Sequence, residues 1–259
     1  MSTNPRSDKT GHPRVVVGIL AYARPDDLID TLESVRQQTT QNIETVVLQS
    51  GMDDRDLGRV RDVHPWATYV WNASNLGAAG GRNRLIKIVL ADPDNDFLCF
   101  LDSDASFEAG ALDALLDIWP RLESPGLVSC TILTKENPEL VHSTGVSIDF
   151  DRMTETHHID LLVDHAVARD AVITTASLVS RHVLGCVPPF DEAIFAYWED
   201  LDWSIHITQS GFQNYVVRNA IAFHALSRSR YHPAVIYYLT RHKLMVARKL
   251  GYGWNANNL

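Results

Sequence analysis

The amino-acid sequence predicts a single α/β domain built on a Rossmann-like, mostly parallel sheet with helices on both faces. Apolar, β-branched runs such as residues 15–20 (VVVGIL) alternate along the chain with segments that carry apolar residues at helical spacing. Repeated strand–helix units of this kind produce parallel sheets, and their strands lack polar alternation because both faces are covered. A length of 259 residues with 45% hydrophobic content suits one domain with a sizeable core.

The strand and helix signals follow one another in a regular order. After the first strand, Pro25 opens a helix that has two acidic residues in its first turn and an apolar face. A glycine-rich loop is predicted at residues 75–81 because three glycines fall within seven residues. The further strands are predicted at residues 43–48, 68–71 and 97–101, and the further helices at residues 56–63, 82–90 and 112–119.

The net charge of −9 is unevenly distributed along the chain. No acidic residue follows Asp202, whereas seven basic side chains lie between residues 203 and 259. A basic segment of this kind indicates contact with an anion. The anion is either a substrate phosphate, a membrane surface or the acidic part of the same fold, and the sequence leaves these alternatives open.

The cysteines and the polar N-terminal residues indicate a reducing compartment. Cys99, Cys130 and Cys186 are far apart in sequence, which favours reduced thiols over a metal site. The chain has no uncharged apolar run of about 18 residues, and its first residues are polar. We therefore expect a cytoplasmic protein with a disordered N-terminal tail at residues 1–13.

Two aspartates leave the predicted strand at residues 97–101 together. Asp102 and Asp104 follow its carboxyl end, where ligands of open α/β sheets bind. Two adjacent carboxylates favour a hard divalent ion such as Mg²⁺ or Mn²⁺, and magnesium usually takes one or two carboxylates together with substrate phosphates. A nucleoside diphosphate is therefore the expected ligand. The alternative is that both aspartates only cap the following helix.

Seven segments in a fixed order resemble family 2 glycosyltransferases, which have the GT-A fold. Within that family the chain looks most like the rhamnosyltransferase-type members, and the resemblance extends over residues 14–249. The segments are residues 15–26 (VVVGILAYARPD), 44–51 (ETVVLQSG), 75–83 (NLGAAGGRN), 100–105 (FLDSDA), 189–192 (PFDE), 195–202 (FAYWEDLD) and His224.

The resemblance implies a division of the chain into functional parts. Residues 14–259 would form one GT-A domain, with a nucleotide-binding half at 14–105 and an acceptor and catalytic half at 106–228. Residues 229–259 would form a C-terminal helical segment, which contains Tyr237 and Arg241 in a region similar to that of the rhamnosyltransferase-type members.

The resemblance also implies which residues bind the donor and the metal. Asp104, Asp102 and His224 would bind the metal ion, Mn²⁺ or Mg²⁺. Gln49 and Ser50 stand where the family usually has Asp or Asn, so the nucleotide base stays open. The implied nucleotide-sugar contacts are Ala21, Tyr22, Arg24, Gln49, Ser50, Gly51, Asn75, Gly81, Arg82, Asp102 and Ser103.

Each of these assignments has a structural alternative. Residues 75–83 could instead form a flexible loop that caps the helix at Arg82, and a lone histidine after a strand, such as His224, is often structural. The remaining histidines of the chain, including His64 and the pair His157 and His158, lack ligand spacing with a partner and are expected to be surface residues.

A second acidic cluster, residues 198–203 (WEDLDW), resembles the family motif in which an aspartate is the catalytic base. Asp200 is the expected base, because an attacking hydroxyl must lose its proton and a positioned carboxylate can accept it. Glu199 would orient Asp200 or the acceptor, and the flanking Trp198 and Trp203 would raise the proton affinity of Asp200 by desolvation. The alternative is an acidic helix N-terminus that satisfies backbone donors.

The resemblance implies an inverting transfer of a hexose or deoxyhexose to an acceptor hydroxyl. The donor would be a UDP-, dTDP- or GDP-linked sugar, and the acceptor a glycan, a lipid-linked molecule or a natural product. Trp198, Arg228 and Arg241 are weaker candidates for contacts with the acceptor or the phosphate. No nucleic acid is expected as a partner, and peripheral membrane contact and the oligomeric state are left open.

Two other classes of protein are built on a similar α/β sheet. A nucleotidyltransferase would need a basic, glycine-rich phosphate loop after the first strand, and residues 20–27 contain only Arg24 and no glycine. A catalytically silent GT-A relative would bind a sugar nucleotide or a protein partner, and the complete set of Asp102, Asp104 and Asp200 argues against it.

Overall fold

A ten-stranded sheet forms the centre of the molecule, which is described by a computed structural model for residues 11–225 and 232–251. Across the sheet the order is β10-β12-β6-β11-β4-β1-β2-β3, with β5 on β12 and β7 on β6, while β8 and β9 form a separate hairpin. The strands are β1 Val15–Tyr22, β2 Ile43–Ser50, β3 Thr68–Trp71, β4 Phe97–Asp102, β5 Ala105–Phe107, β6 Pro125–Thr134, β7 Val141–Ser143, β8 Val146–Asp149, β9 Thr154–His157, β10 Ala166–Arg169, β11 Ala176–Ser180 and β12 Gln213–His224.

The first four strands of the chain, β1 to β4, form a parallel block. β1 lies between β2 and β4 and is parallel to both, and β3 is parallel to β2. The other part of the sheet is mixed, because β11 runs antiparallel to both β4 and β6, whereas β12 is parallel to β6. The carboxyl ends of β1, β2 and β4 therefore meet at one edge of the sheet.

Helices cover both faces of the sheet, as the sequence predicts. One face packs against α1, α2 and α4, and the other against α3, α5 and α6. The bounds are α1 Pro25–Arg36, α2 Asp54–Val63, α3 Gly77–Ala91, α4 Ala111–Ile118, α5 Arg181–Cys186, α6 Glu199–Gln209 and α7 Pro233–Lys249, with a 3₁₀ turn at Trp119–Arg121 after α4. A third apolar cluster joins α6 and α7 to the β8–β9 hairpin.

The prediction of a glycine-rich loop at residues 75–81 is wrong, because α3 already begins at Gly77. Its glycines allow close packing. A Cβ on Gly81 would lie 2.9 Å from the side chain of Leu20, and a Cβ on Gly77, whose φ is +67°, would lie 2.2 Å from the carbonyl oxygen of Phe195. The helix thus starts earlier than glycine propensity suggests and reaches the edge of the sheet.

The expectation that the remaining histidines are surface residues is wrong for His242, which is completely buried, and for His64. His64 ends α2 and is only 1% exposed, with Nε2 at 3.1 Å from the carbonyl oxygen of Ile29. His157 is exposed and His158 is half-buried. The predicted tail at residues 1–13 lies mostly outside the described residues. Among the helices of the described ranges, none combines the length and the apolar composition needed to cross a membrane.

Candidate active site

A cleft of about 240 Å³ opens at the edge where β1, β2 and β4 end. The N-terminal turn of α3 and the segment just before α6 form its other walls. The backbone N–H of Ala78 donates to the carbonyl oxygen of Phe195 at 2.7 Å, which joins these two walls. The lining residues are Leu20, Ala21, Tyr22, Leu48, Ser50, Asn72, Asn75, Leu76, Gly77, Ala78, Gly81, Arg82, Asp102, Phe195 and Ala196.

Most of the residues expected to bind a nucleotide sugar lie in this cleft. Those among the lining residues are Ala21, Tyr22, Ser50, Asn75, Gly81, Arg82 and Asp102. Four others lie outside the lining, namely Arg24, Gln49, Gly51 and Ser103. The structure therefore brings together residues from β1, β2, α3 and β4 that are far apart in the sequence.

The four residues outside the lining have different surroundings. Gln49 is 1% exposed, and by strand alternation its side chain shares the sheet face of Val47 rather than that of Leu48, which lines the cleft. Gly51 has φ +74°, and a Cβ there would lie 2.4 Å from the Tyr22 ring. The absence of a side chain at Gly51 therefore allows the Tyr22 ring to occupy this position.

Arg24 and Ser103 contact the chain just beyond the cleft. Arg24 Nη1 lies 3.1 Å from Asp104 Oδ2, so this guanidinium faces a carboxylate that is expected to bind the metal. The carbonyl oxygen of Ser103 accepts a hydrogen bond from the hydroxyl of Thr31. This bond fixes the turn between Asp102 and Asp104.

Asp102, Asp104 and His224 form a group that could hold a metal ion. One ligand atom from each residue can be chosen so that all lie within 4.8 Å of one another. His224 reaches the carboxylates because β12 pairs with β5, which places His224 opposite Ala105. Two carboxylates and one imidazole suit Mn²⁺ or a similar divalent ion, so the residues fit the metal that the sequence predicts.

The carboxylate of Asp104 and the imidazole of His224 stabilise each other's charged forms. His224 Nε2 lies 3.2 Å from Asp104 Oδ1. Burial alone would raise the pKa of Asp104, but the hydrogen bond from His224 and the nearby charges of His224 and Arg24 hold it below its usual range. Burial would lower the pKa of His224, yet its contact with Asp104 and the charge of Asp102 raise it.

A second histidine, His142, lies against His224, although it is among the histidines that the sequence analysis expects at the surface. The rings of His142 and His224 are stacked, with centroids 5.0 Å apart and 4° between their planes. Their Nδ1 atoms are 3.2 Å apart, so one of them donates a hydrogen to the other. His142 lies on β7, and only the pairing of β7 with β6 brings it to this site.

Arg82 connects the metal group to the second acidic cluster. Its Nη1 lies 2.5 Å from Glu199 Oε1, and its Nη2 lies 3.3 Å from Asp102 Oδ1. Both Arg82 and Glu199 are buried. Burial opposes the charge of the guanidinium, but the carboxylates of Glu199, Asp102 and Asp200 outweigh this effect and raise the pKa of Arg82.

Asp200 lies in the first turn of α6 and has an elevated proton affinity. Burial, with a further contribution from the neighbouring charge of Glu199, raises its pKa to about 7. The side chain accepts only from the backbone N–H of Leu201 among the hydrogen bonds of the described residues. A carboxylate that is half ionised near neutral pH is suited to general-base chemistry.

The segment before Asp200 has an unusual backbone. Tyr197 has φ 64° and Trp198 has φ 72°, so two successive non-glycine residues are left-handed. Such residues are common at functional sites, where the surrounding structure holds them. The turn directs α6 so that Glu199 and Asp200 start the helix.

The weaker candidates for contacts with the acceptor or the phosphate are Trp198, Arg241 and Arg228. Trp198 is buried beside the ammonium group of Lys243, 5.4 Å from the ring centroid. Arg241 Nη1 donates to the carbonyl oxygen of Ala193 at 3.1 Å and lies outside the cleft lining. Arg228 falls outside the described residues.

Comparison with known proteins identifies the family. Residues 16–155, more than half of the chain, match the family model described as glycosyl transferase family 2. The chain belongs to glycosyl transferase family 2. This family 2 chain is also 23% identical over 243 residues to the galactofuranosyltransferase GlfT2 of Mycolicibacterium smegmatis, a match that covers 83% of the chain but only 37% of that relative.

Solved structures of similar shape confirm the GT-A fold of this family 2 chain. The crystal structure of GalNAc-T7 with UDP, GalNAc and Mn²⁺ superposes with a TM-score of 0.73 at 14% identity, over 93% of this chain and 49% of that chain. The mannosyltransferase PcManGT from Pyrobaculum calidifontis in complex with GDP-Man and Mn²⁺ gives a TM-score of 0.66 at 17% identity, over 98% of this chain and 69% of that chain.

Several cleft residues of this family 2 chain were not expected from the sequence. Phe195 and Ala196 lie within residues 195–202, one of the segments that carried the resemblance, so the motif could have pointed to them. Asn72 follows β3 directly, and the rule that ligands gather at the carboxyl ends of strands could have found it. Leu76 lies within residues 75–83, another segment that carried the resemblance, so the same reasoning could have pointed to it.

Proposed function

We propose that this chain is an inverting glycosyltransferase that moves a sugar from a nucleoside diphosphate sugar to an acceptor hydroxyl, with a divalent metal ion and Asp200 as general base. One observation carries the proposal. The guanidinium of Arg82 contacts Asp102 of the metal group and Glu199, the neighbour of Asp200. One buried guanidinium thus joins the expected metal group to the acidic start of α6, which supports a diphosphate site next to the proposed base.

The chemistry of the cleft suits a nucleotide-sugar donor. The cleft has an aromatic side chain, Tyr22, and the polar groups Ser50, Asn75 and Asp102, a combination that suits a nucleoside. The two similar solved structures contain UDP and GDP-Man, each with Mn²⁺, which supports a nucleoside diphosphate sugar and leaves the base open between uracil, thymine and guanine.

Asp102, Asp104 and His224 would hold the Mn²⁺ or Mg²⁺ ion, and such an ion supplies positive charge for the departing diphosphate. Arg24 and Arg82 lie beside the same carboxylates and add fixed positive charge at this end of the cleft. These residues hold the diphosphate and stabilise it as it leaves.

Asp200 would accept the proton of the acceptor hydroxyl. As the acceptor oxygen bonds to the anomeric carbon, the bond from that carbon to the diphosphate oxygen breaks, and the hydroxyl proton passes to the carboxylate of Asp200. A single displacement of this kind inverts the anomeric configuration. The raised pKa of Asp200 supports the role, because a base near the operating pH combines availability with proton affinity.

The finer assignments stay predictions. These are the rhamnosyltransferase-like subtype, the transfer of a hexose or deoxyhexose, the acceptor class, the division of the chain at residues 105 and 228, and the cytoplasmic location. The similar GlfT2 is named a galactofuranosyltransferase, which supports a sugar-transferring role and does not name the sugar for this chain.

A donor screen tests the proposal directly. UDP-, dTDP- and GDP-sugars are added to the full chain with Mn²⁺, and thermal unfolding and release of nucleoside diphosphate are measured. The accepted donor should raise the melting temperature, because it binds only the folded protein, and should be turned over. NMR of the glycoside product should give the inverted anomer. A retained anomer contradicts the proposal, and binding of a donor without hydrolysis or transfer would indicate a silent relative.

A further inference from the structure

The C-terminal helix α7 packs along residues 191–198, the segment that leads into Glu199 and Asp200. The helix contacts this segment at both ends and in the middle. Lys249 Nζ lies 3.2 Å from Asp191 Oδ2, Arg241 binds the carbonyl of Ala193, and the ring of Tyr238 stacks on Phe195 with centroids 5.6 Å apart. The segment therefore takes its position from α7 as well as from the sheet.

His242 is at the centre of this contact. The residue is completely buried, and its Nδ1 lies 2.7 Å from the carbonyl oxygen of Ala196 and 3.1 Å from that of Tyr197. Carbonyl oxygens only accept hydrogen bonds, so Nδ1 carries a hydrogen and donates it to them. The ring is held flat against Tyr238, with centroids 5.2 Å apart.

The carbonyls that His242 binds belong to the strained part of the backbone. Tyr197 and Trp198 both have positive φ, a conformation that side-chain-bearing residues adopt only where the surroundings hold them. Glu199 and Asp200 follow at once as the first residues of α6. Ala196, one of the two residues bound by His242, also lines the cleft. A change in this turn would therefore move Asp200 relative to the cleft.

We infer that His242 is a positioning residue for Asp200, acting through the hydrogen bonds from its Nδ1 to the carbonyls of Ala196 and Tyr197. The inference rests on the proposed function of Asp200 as base. Loss of the Nδ1 donor should release the turn and displace the carboxylate, and a small misplacement of a catalytic group lowers the rate by about 10- to 100-fold. The residues that would hold the metal lie at the ends of β4 and β12, and the affinity for Mn²⁺ should stay unchanged.

Two substitutions of His242 separate the hydrogen bond from the packing. His242→Leu fills much of the same space without a donor. His242→Asn retains an N–H close to the place of Nδ1. We expect kcat of the Leu variant to fall by about 10- to 100-fold, with a smaller change in the KM of the donor, and the Asn variant to recover most of the loss. Hydrogen–deuterium exchange at residues 195–203 should rise in the Leu variant only.

A matched control separates positioning from general destabilisation. Leu115 is completely buried in the apolar cluster on the other face of the sheet. Leu115→Ala should lower the melting temperature while kcat, measured well below that temperature, stays that of the wild type. If His242→Leu does not fold, His242→Gln replaces it, because the glutamine amide lies at the place of Nε2 and should not restore the bond from Nδ1.

The outcomes distinguish this inference from the proposed function. A wild-type kcat in His242→Leu or His242→Gln would overturn the positioning role. So would a loss of kcat in His242→Asn as large as that in the Leu or Gln variant. If the wild type itself turns over no donor, the proposed function fails. The exchange of residues 195–203 still shows in that case whether His242 holds the turn, and unchanged exchange in the Leu variant would overturn that part as well.

Discussion

The guanidinium of Arg82 is paired with the carboxylate of Glu199 in the interior of the protein, and the pair joins α3 to α6 across the cleft. Arg82 is 5% exposed and Glu199 is 6% exposed. The second oxygen of Glu199, Oε2, has no hydrogen-bond partner among the described residues. The buried negative charge of Glu199 is therefore compensated mainly by the guanidinium of Arg82.

Removal of Arg82 alone should be strongly destabilising. Arg82→Met leaves the carboxylate of Glu199 buried without a counter-charge, and breaking a buried pair costs about 3–5 kcal/mol of unfolding free energy. Urea unfolding of Arg82→Met, Glu199→Gln and the double variant forms a double-mutant cycle. The double variant should be more stable than the sum of the single losses predicts. Simple additivity would show that the two side chains do not interact energetically.

Replacement of Asp200 should affect the rate and leave donor binding unchanged. Asp200→Asn nearly preserves the shape of the side chain, so the donor KM should stay constant while kcat falls by about 10²- to 10⁴-fold. Asp202→Asn is a matched control, because Asp202 is two residues away and binds Lys249. The control should lower stability and keep kcat. Near-normal turnover in Asp200→Asn would move the role of base to Glu199.

The pKa of Asp200 predicts a pH dependence of both activity and stability. The base works in its ionised form, so kcat/KM should rise with pH up to about 7 and then level off, and the Asp200→Asn variant should lack this rise. The pKa in the folded protein lies above that of an unfolded aspartate, near 3.9, so protonation contributes stability that is present at about pH 4 and lost as pH rises through 7.

The predicted pH dependence of stability is tested by a separate measurement. Thermal unfolding of Asp200→Asn and of the wild type is compared at pH 5 and pH 8. The variant should gain stability relative to the wild type at the higher pH, because it buries no charge there. A constant difference between the two proteins would mean that the carboxyl group titrates with an ordinary pKa.

Replacement of Asp104 should remove the metal dependence of nucleotide binding. In Asp104→Ala, the group that could hold Mn²⁺ loses one of its two carboxylates, and His224 and Arg24 lose their common partner. The increase in melting temperature that Mn²⁺ and a nucleoside diphosphate produce together should disappear. Asp94→Ala is the control, because Asp94 belongs to another Asp-x-Asp sequence and is exposed. Undiminished metal-dependent binding in Asp104→Ala would contradict the assignment.

Local sequence patterns predicted the parts of the fold that depend on interactions between residues close together in the sequence. The buried strands and the position of Asp102 and Asp104 at the end of β4 follow from apolar runs and from the rule for open α/β sheets. The start of α3 was not predicted, because glycines have a poor helix propensity. In the structure, Gly77 and Gly81 lie in α3 and pack closely against Phe195 and Leu20, where a side chain would not fit.

The contacts that were missed at the site are long-range. His142 meets His224 through the pairing of β6 with β7, and His242 meets Ala196 through the packing of α7. The burial of His64 likewise depends on the carbonyl of Ile29 in a different helix. No spacing along the chain encodes these neighbours, since each depends on how distant elements pack.

The pairing of β5 with β12 has a consequence for biosynthesis. Asp102 and Asp104 leave the ribosome before His224, which is the last residue of β12 and can join them only after that strand has been translated and has paired with β5. A nascent chain that ends before β12 holds both carboxylates without the imidazole. The three side chains that could hold a metal ion are therefore brought together only once β12 has paired with β5.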